Sequence, residues 1–423
     1  MTKECINCKS NNFEIFFNLG MQPLSCKFPN KKERNPKQYE LKLIQCKKCN
    51  LVQIKKIVNP KEMYGTEYGY YSSISPMMKN HLKEIFQEAS KFTQNGDSIL
   101  DIGSNDGTLL NFFDHKKFSK IVGIDPNIKI YSGSYKNHIE KHARLFDISL
   151  IKENILKKNQ FHIIFAIAMF YDISKLENFL ITIKNILHKR GVWIVEVSYL
   201  KTLIQNMTYD QICHEHIAYY NLDTFSKILK KFKLKIVNCY ENEINGGSIR
   251  AHIVHQNYKK YKKSKDLKEK IFREKEFFNN DIKIFKSRVM ASKILINDYL
   301  NNITKNHVIY GYGASTKGNI ILNYVNLNNR IIKKICDANS SKHGRVTPGS
   351  RIDIISKEEM RKEKPDYLFV LIWSFRNEVI KQELNYIKKG GKLIIPYPSL
   401  HVIDKENYKF YINRNINDFS FSN

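Results

Sequence analysis

The sequence contains no run of 18 apolar residues, and no apolar core follows Met1-Thr2-Lys3-Glu4. A membrane-spanning helix needs about 20 such residues, and a secretory leader needs an apolar core near its start. The expectation is therefore a cytoplasmic chain that neither enters a membrane nor leaves through a leader. Pro and Gly are sparse, at 10 and 18 of 423 residues, which argues against collagen-like and disordered classes. Acidic residues are the minority charge: 41 Asp+Glu face 70 Lys+Arg, for a net charge of +29. Such an excess raises nucleic acid as a partner. The lysines are dispersed, however, in pairs such as Lys31-Lys32, Lys230-Lys231 and Lys333-Lys334. The densest stretch, 258–286, is broken by Asp266, Glu269, Glu274 and Glu276, and Leu267, Ile271 and Phe272 mark it as a solvated amphipathic helix. Neither a nucleic acid nor a membrane is expected to bind.

The chain has length enough for two or three domains. Its eight cysteines should stay reduced in such a compartment, and five of them fall within the first 50 residues. Cys5-Ile6-Asn7-Cys8 and Cys46-Lys47-Lys48-Cys49 are two C-x-x-C knuckles. Each lets two thiolates of one tight turn grip a single ion, and the pair completes a tetrahedral site. All four positions are filled, so the zinc they imply is structural; a redox pair is the rival reading. The 37 residues between the knuckles must hold a hairpin, with strands at Phe13–Phe17 and Tyr39–Gln45. Cys26 is left over as a spare residue of structural character.

A helix from Pro76 to Phe92 precedes Ser98-Ile99-Leu100-Asp101-Ile102-Gly103-Ser104-Asn105-Asp106-Gly107. This is a strand, a Gly-rich turn and the start of a further helix, in the form Asp-x-Gly-x-x-x-Gly. A dinucleotide fold needs closer glycines to approach a pyrophosphate. S-adenosylmethionine has no phosphate, so Gly103 and the strand-end Asp101 suffice to pass its amino-acid end. Asp125 ends the next strand 24 residues after Asp101, placed to accept hydrogen bonds from ribose hydroxyls, and Asp147 follows at the position of an adenine contact. Asn105, Gly107, Pro126 and Ala168 lie on the same turns and strand ends. Strands at 161–168 and 191–197 continue the rhythm of a doubly wound class I methyltransferase sheet.

Beyond that sheet, Tyr209-Asp210-Gln211-Ile212-Cys213-His214-Glu215-His216-Ile217-Ala218-Tyr219-Tyr220 is dense in titratable and hydroxyl groups. His214 and His216 are two apart, not the four of a zinc-protease helix. Asn245-Gly246-Gly247-Ser248-Ile249-Arg250 supplies a tight turn and an Arg suited to an anion. Near the C-terminus, Tyr310-Gly311-Tyr312-Gly313-Ala314-Ser315-Thr316-Lys317-Gly318 opens a second α/β unit, and Asp337 ends a strand 26 residues after Gly311. On spacing an NAD site fits, but Thr316 stands at the third glycine position and Lys317 at the helix start suits a diphosphate.

With Tyr68-Gly69-Tyr70-Tyr71-Ser72 added, these motifs in this order resemble the sugar C-methyltransferase family, over nearly the whole chain. The resemblance implies an α/β protein of three parts: a zinc-binding domain at 1–65, a class I S-adenosylmethionine-dependent methyltransferase domain at 66–240, and a Rossmann-like domain at 241–423 with a basic helical segment at 258–303. It implies carbon methylation of a nucleotide-linked 4-keto sugar, held without NAD, in a monomer or weak homo-oligomer. His216 is then the base that makes an enolate, with Glu215, His214, Tyr68 and Tyr70 beside it. Tyr71, Asp172, Tyr220, Asn245, Arg250, Lys317 and Arg345 are its candidate substrate contacts, and Arg376 a weaker one. Many relatives carry Tyr at the position of Cys213 and His at that of Asp172, which leaves the methylated atom open, a hydroxyl included. An RNA methyltransferase and an NAD-dependent oxidoreductase are the readings from other classes.

Overall fold

The computed structural model describes residues 4–63, 71–262 and 264–419. Three sheets organise them. In the N-terminal lobe, β1 (Phe13–Pro23), β2 (Gln38–Cys46) and β3 (Val52–Ile54) pair antiparallel. Tyr39, Leu41 and Leu43 alternate inward along β2, the signature of a half-buried strand.

The central sheet begins with β4 (Ser98–Ile102), β5 (Lys120–Ile124), β6 (Glu140–His142), β7 (Phe161–Ile167) and β8 (Leu187–Ser198), all parallel. Every residue of β4 is buried, as expected of a strand covered on both faces. The next strand, β9 (Ala218–Tyr219), leaves this sheet and pairs with β3, so the N-terminal sheet runs β1-β2-β3-β9. Two antiparallel strands, β10 (Leu234–Asn242) and β11 (Ser248–His255), then return to complete the central order β10-β11-β8-β7-β4-β5-β6. The division expected at 240 falls inside β10, and the central sheet takes one more strand beyond it, β11, which ends at His255.

A helix over Lys265–Ile303 leads to the third sheet. It starts later than the expected 258, where Ser264 accepts the Leu267 N–H as its cap. The third sheet has the order β14-β13-β12-β15-β16-β17, from β12 (Ile309–Tyr312), β13 (Lys334–Cys336), β14 (Asp353–Ile355), β15 (Tyr367–Val370), β16 (Lys392–Ile395) and β17 (His401–Ile403). All but β17 are parallel, a doubly wound order. One apolar core runs through all three parts.

The helix expected after the Gly-rich turn is absent; only a 3₁₀ turn at Leu110–Phe112 forms there. Asn105 (φ 50°) and Gly107 (φ 74°) are left-handed, and the Tyr135 ring fills the space beside Gly107, where a Cβ would lie 2.6 Å from it. The Tyr135 hydroxyl also donates to the Asn105 carbonyl. The chain must climb around that ring and cannot coil at once. Among the described residues no helix is long and apolar enough to cross a membrane.

Candidate active site

The four knuckle thiols lie within 4.8 Å of one another. Both knuckles are closed by the same turn. Lys9 and Asn50, each left-handed, return their N–H to the Cys5 and Cys46 carbonyls at 3.0 and 2.8 Å. Four soft donors preset at that separation fit zinc.

On the central sheet, the Gly103 amide donates to the Ile124 carbonyl at 2.8 Å, which brings the turn after β4 against the end of β5. A Cβ on Gly103 would sit 2.9 Å from Met169, so only glycine keeps this cradle open. Asp125 follows at once, its two oxygens accepting the Asn127 and Asn105 amides at 2.7 and 3.1 Å. Burial, Asp125 and Asp106 together push the Asp101 carboxyl up to about 8. That unbalanced acidic pocket fits a ligand with a cationic amino-acid end and a ribose.

A cavity of about 350 Å³ opens where the three parts meet. Ala168, Tyr171 and Asp172 line it from the end of β7, and Asp210, Cys213, Glu215 and His216 from the segment before β9. Gly313, Thr316, Lys317 and Asp337 line it from the third sheet, and Cys26 and Phe28 from the N-terminal lobe. The Nδ1 of His216 lies 2.8 Å from the Gln211 carbonyl. A carbonyl only accepts, so Nδ1 carries the proton and Nε2 keeps a lone pair. Burial and the Lys317 ammonium push this imidazole down to about 3. Its ring packs on Tyr171 at 4.2 Å between centroids. Lys317 donates to the Asn245 carbonyl at 2.9 Å, and burial lowers its own pKa. Burial raises Glu215, which lines the cavity with Cys26 and Cys213. Two non-glycine residues in left-handed backbone, Ala168 (φ 54°) and Asn245 (φ 59°), sit on the cavity wall. Strain of that kind persists only where the surroundings enforce it.

Three family models match in chain order: a zinc-binding domain over 5–64, a methyltransferase domain over 77–238 and a C-methyltransferase C-terminal domain over 243–398. A curated relative, C-methyltransferase NovU of Streptomyces niveus, is 25% identical over 379 residues, 87% of this chain and 89% of that one. The chain is a methyltransferase with the three domains that these models describe. It is an S-adenosylmethionine-dependent enzyme with a zinc-binding lobe. Solved structures that align include the 1,6-didemethyltoxoflavin-N1-methyltransferase of Burkholderia thailandensis, at 10% identity over 42% of this chain and 78% of that one (TM-score 0.33). The CurJ carbon methyltransferase aligns at 12% identity over 43% and 55%, with a TM-score of 0.32.

In this methyltransferase the cavity gathers many of the residues expected from sequence: Ala168, Asp172, Glu215, His216, Asn245 and Lys317, together with Tyr71. Tyr68 and Tyr70 lie outside the described residues. Pro126 follows Asp125 on the β5 turn, and Asp147 lies away from the cavity, where its carboxylate accepts the Ser149 N–H at 2.8 Å.

Five expected site residues are elsewhere. Arg250 is held by Glu196 and Glu88 at 3.0 and 2.7 Å beneath the helix Pro76–Ser90, because β11 points it into the core. Arg345 donates to the Phe28 carbonyl at 2.9 Å and pins the N-terminal lobe. Tyr220 is buried in a stack on Phe170, 5.2 Å between centroids. His214 is buried against Tyr39, 6.1 Å between ring centroids, and does not line the cavity. Arg376 instead caps the C-terminal segment through the Tyr411 and Arg414 carbonyls. Sequence reasoning missed Gln211, the anchor of His216, and the place of Cys26 and Phe28 in the wall. The prolines flanking that loop, Pro23 and Pro29, are the one local sign of a fixed course.

Proposed function

We propose that this methyltransferase methylates a ring carbon next to the ketone of a nucleoside-diphosphate 4-keto sugar. The observation that carries the reading is His216: a neutral imidazole, oriented through Nδ1, in one cavity with Ala168 on the donor side and Lys317 at a helix start. The geometry supports general-base work, since Nε2 can take the proton of the sugar carbon. The C–H electron pair then forms an enolate, and the Lys317 ammonium sits where it can balance the oxyanion. When bound, S-adenosylmethionine supplies the electrophilic methyl to which the new C–C bond forms. Glu215, its carboxyl raised by burial, lines the same cavity and is placed to contact the sugar.

The helix Thr316–Val325 starts at Ser315, whose hydroxyl accepts the Gly318 N–H, and its amides with Lys317 suit a diphosphate. The test is incubation with methyl-labelled donor and a panel of nucleotide sugars, with and without the 4-keto group, in D₂O. Transfer that requires the ketone, with exchange of the adjacent ring proton, is the expected result. Transfer that needs neither would convert the reading to O-methylation.

A further inference from the structure

A single 3₁₀ turn, Tyr209–Gln211, precedes His216 and is gripped from two sides. On one side its Gln211 carbonyl accepts the His216 Nδ1–H at 2.8 Å and the Tyr219 hydroxyl at 3.2 Å. On the other, the third sheet takes hold of the residue before. Trp373, in the turn that follows β15, donates its indole N–H to Asp210 Oδ2 at 2.9 Å. Beside this bond the Tyr209 and Tyr397 hydroxyls are hydrogen-bonded, with their rings 5.3 Å apart between centroids. Asp210, Gln211 and Trp373 are all buried, and Asp210 and Trp373 line the cavity with His216.

Gly246 makes room for the contact. A Cβ there would lie 3.0 Å from the Trp373 ring and 3.3 Å from Gln211 Nε2, so the indole is wedged between the Asn245–Gly246 turn and the segment that carries Gln211. Within that segment there is little slack. The Gln211 backbone N–H donates to the Thr208 carbonyl at 3.0 Å, and its side-chain amide to the Thr208 hydroxyl at 2.9 Å. A buried carboxyl group holds to its donor, because leaving it unpartnered costs the desolvation of a polar group. Asp210 is one peptide bond from Gln211, so any shift of Asp210 moves the carbonyl on which Nδ1 rests.

We infer that Trp373 is a positioning residue for His216: through Asp210 and the Gln211 carbonyl, the third sheet keeps the proton on Nδ1 and leaves the Nε2 lone pair free for the substrate. The inference rests on the reading of His216 as the base and adds what fixes it. The base stands on the methyltransferase half, but its tautomer is set from the other α/β unit.

Nuclear magnetic resonance of the full chain carrying ¹⁵N-labelled histidine tests it, the ring signals of His216 being those missing from His216→Asn. In the parent at neutral pH they are expected to show a protonated Nδ1 and a bare Nε2. Trp373→Phe keeps a ring beside Gly246 but loses the N–H. Its His216 signals should move toward the average of the two tautomers. Its kcat should fall about tenfold to a hundredfold, the scale on which misplacement of a catalytic group acts, with S-adenosylhomocysteine affinity unchanged. Asp210→Ala breaks the same bond from the other side and should behave alike, so the test does not hang on one variant folding. Asp210→Asn still accepts the indole N–H and should restore the parent's tautomer. A tautomer unmoved in both Trp373→Phe and Asp210→Ala overturns the assignment, whatever kcat does. Turnover by His216→Asn at the parent's rate removes the base reading instead, and is scored apart from the tautomer.

Discussion

Lowering the pH from 7 to 5 tests the catalytic segment through stability alone, with no substrate needed. His216 is held down to about 3 by burial and the Lys317 ammonium, and His214 to about 4 by burial. An unfolded histidine titrates near 6.5. Below that value the unfolded chain takes up protons that the folded chain refuses. Stability therefore falls as the pH drops through 6.5, and goes on falling until each folded value is reached. At about 1.36 kcal/mol per pH unit, the step from 7 to 5 costs about 2 kcal/mol per histidine and about 4 kcal/mol for the two. Asp101 acts in the opposite sense over this window. Raised to about 8, its folded carboxyl binds a proton the unfolded chain lacks, so its contribution grows as the pH falls. The readout is accordingly the difference between variants. His216→Asn retains an N–H for the Gln211 carbonyl, and His214→Phe retains a ring against Tyr39. Urea unfolding followed by the fluorescence of the buried Trp193 should show the double variant losing about 4 kcal/mol less than the parent between pH 7 and 5. Equal losses would refute the burial argument.

The acid limb of kcat/KM should lie well below pH 5, because Nε2 keeps its lone pair down to about 3; a limb centred between 6 and 7 removes His216 as the base. Lys317→Met takes away one cause of the depression and should move that limb upward. Asp125→Ala should weaken S-adenosylhomocysteine binding about tenfold to a hundredfold by calorimetry, and unchanged affinity would place the ribose elsewhere. On sequence alone, zinc removal is expected to cost stability more than chemistry. The pairing of Gln53 with Ala218, and of the Ile54 amide with the Ile217 carbonyl at 2.9 Å, changes this. Stripping the metal should lower kcat in molecules that remain folded while leaving donor affinity near normal; an unchanged kcat would show that His216 is placed without the lobe.

The parts legible in the sequence are those whose cause is local. Two knuckles of fixed spacing imply a shared ion whatever lies between them. The Gly103 turn and Asp125 announce themselves because glycine and a strand-end acid are demanded at the ends of two neighbouring parallel strands. His216 is legible as an imidazole among titratable neighbours, but Gln211, which selects its tautomer, acts through a backbone carbonyl that any residue would offer. Arg250 reads as an anion contact because its turn is polar. Its fate is decided by Glu88 and Glu196, distant in sequence and brought under β11 only by the sheet. That the expected boundary near 240 falls inside a strand of the central sheet is hidden from sequence for a similar reason. A hairpin that closes a parallel sheet looks like the start of something new until its partner strand, β8, is known.

β9 is two residues long, yet it completes a sheet whose other strands end at Ile54. During synthesis the N-terminal lobe must therefore wait, with the edge of β3 bare, until the whole first half of the methyltransferase sheet has emerged. The lobe also anchors forward, through Lys31 to Asp353 at 2.8 Å and the Arg351 guanidinium to the Glu33 carbonyl at 2.9 Å. It is thus no detachable module. A chimera that exchanges it for a relative's lobe has to carry matching partners for Val52 and Gln53 at positions 218 and 219, or the transplanted lobe will arrive with an unpaired strand beside the very loop that holds His216.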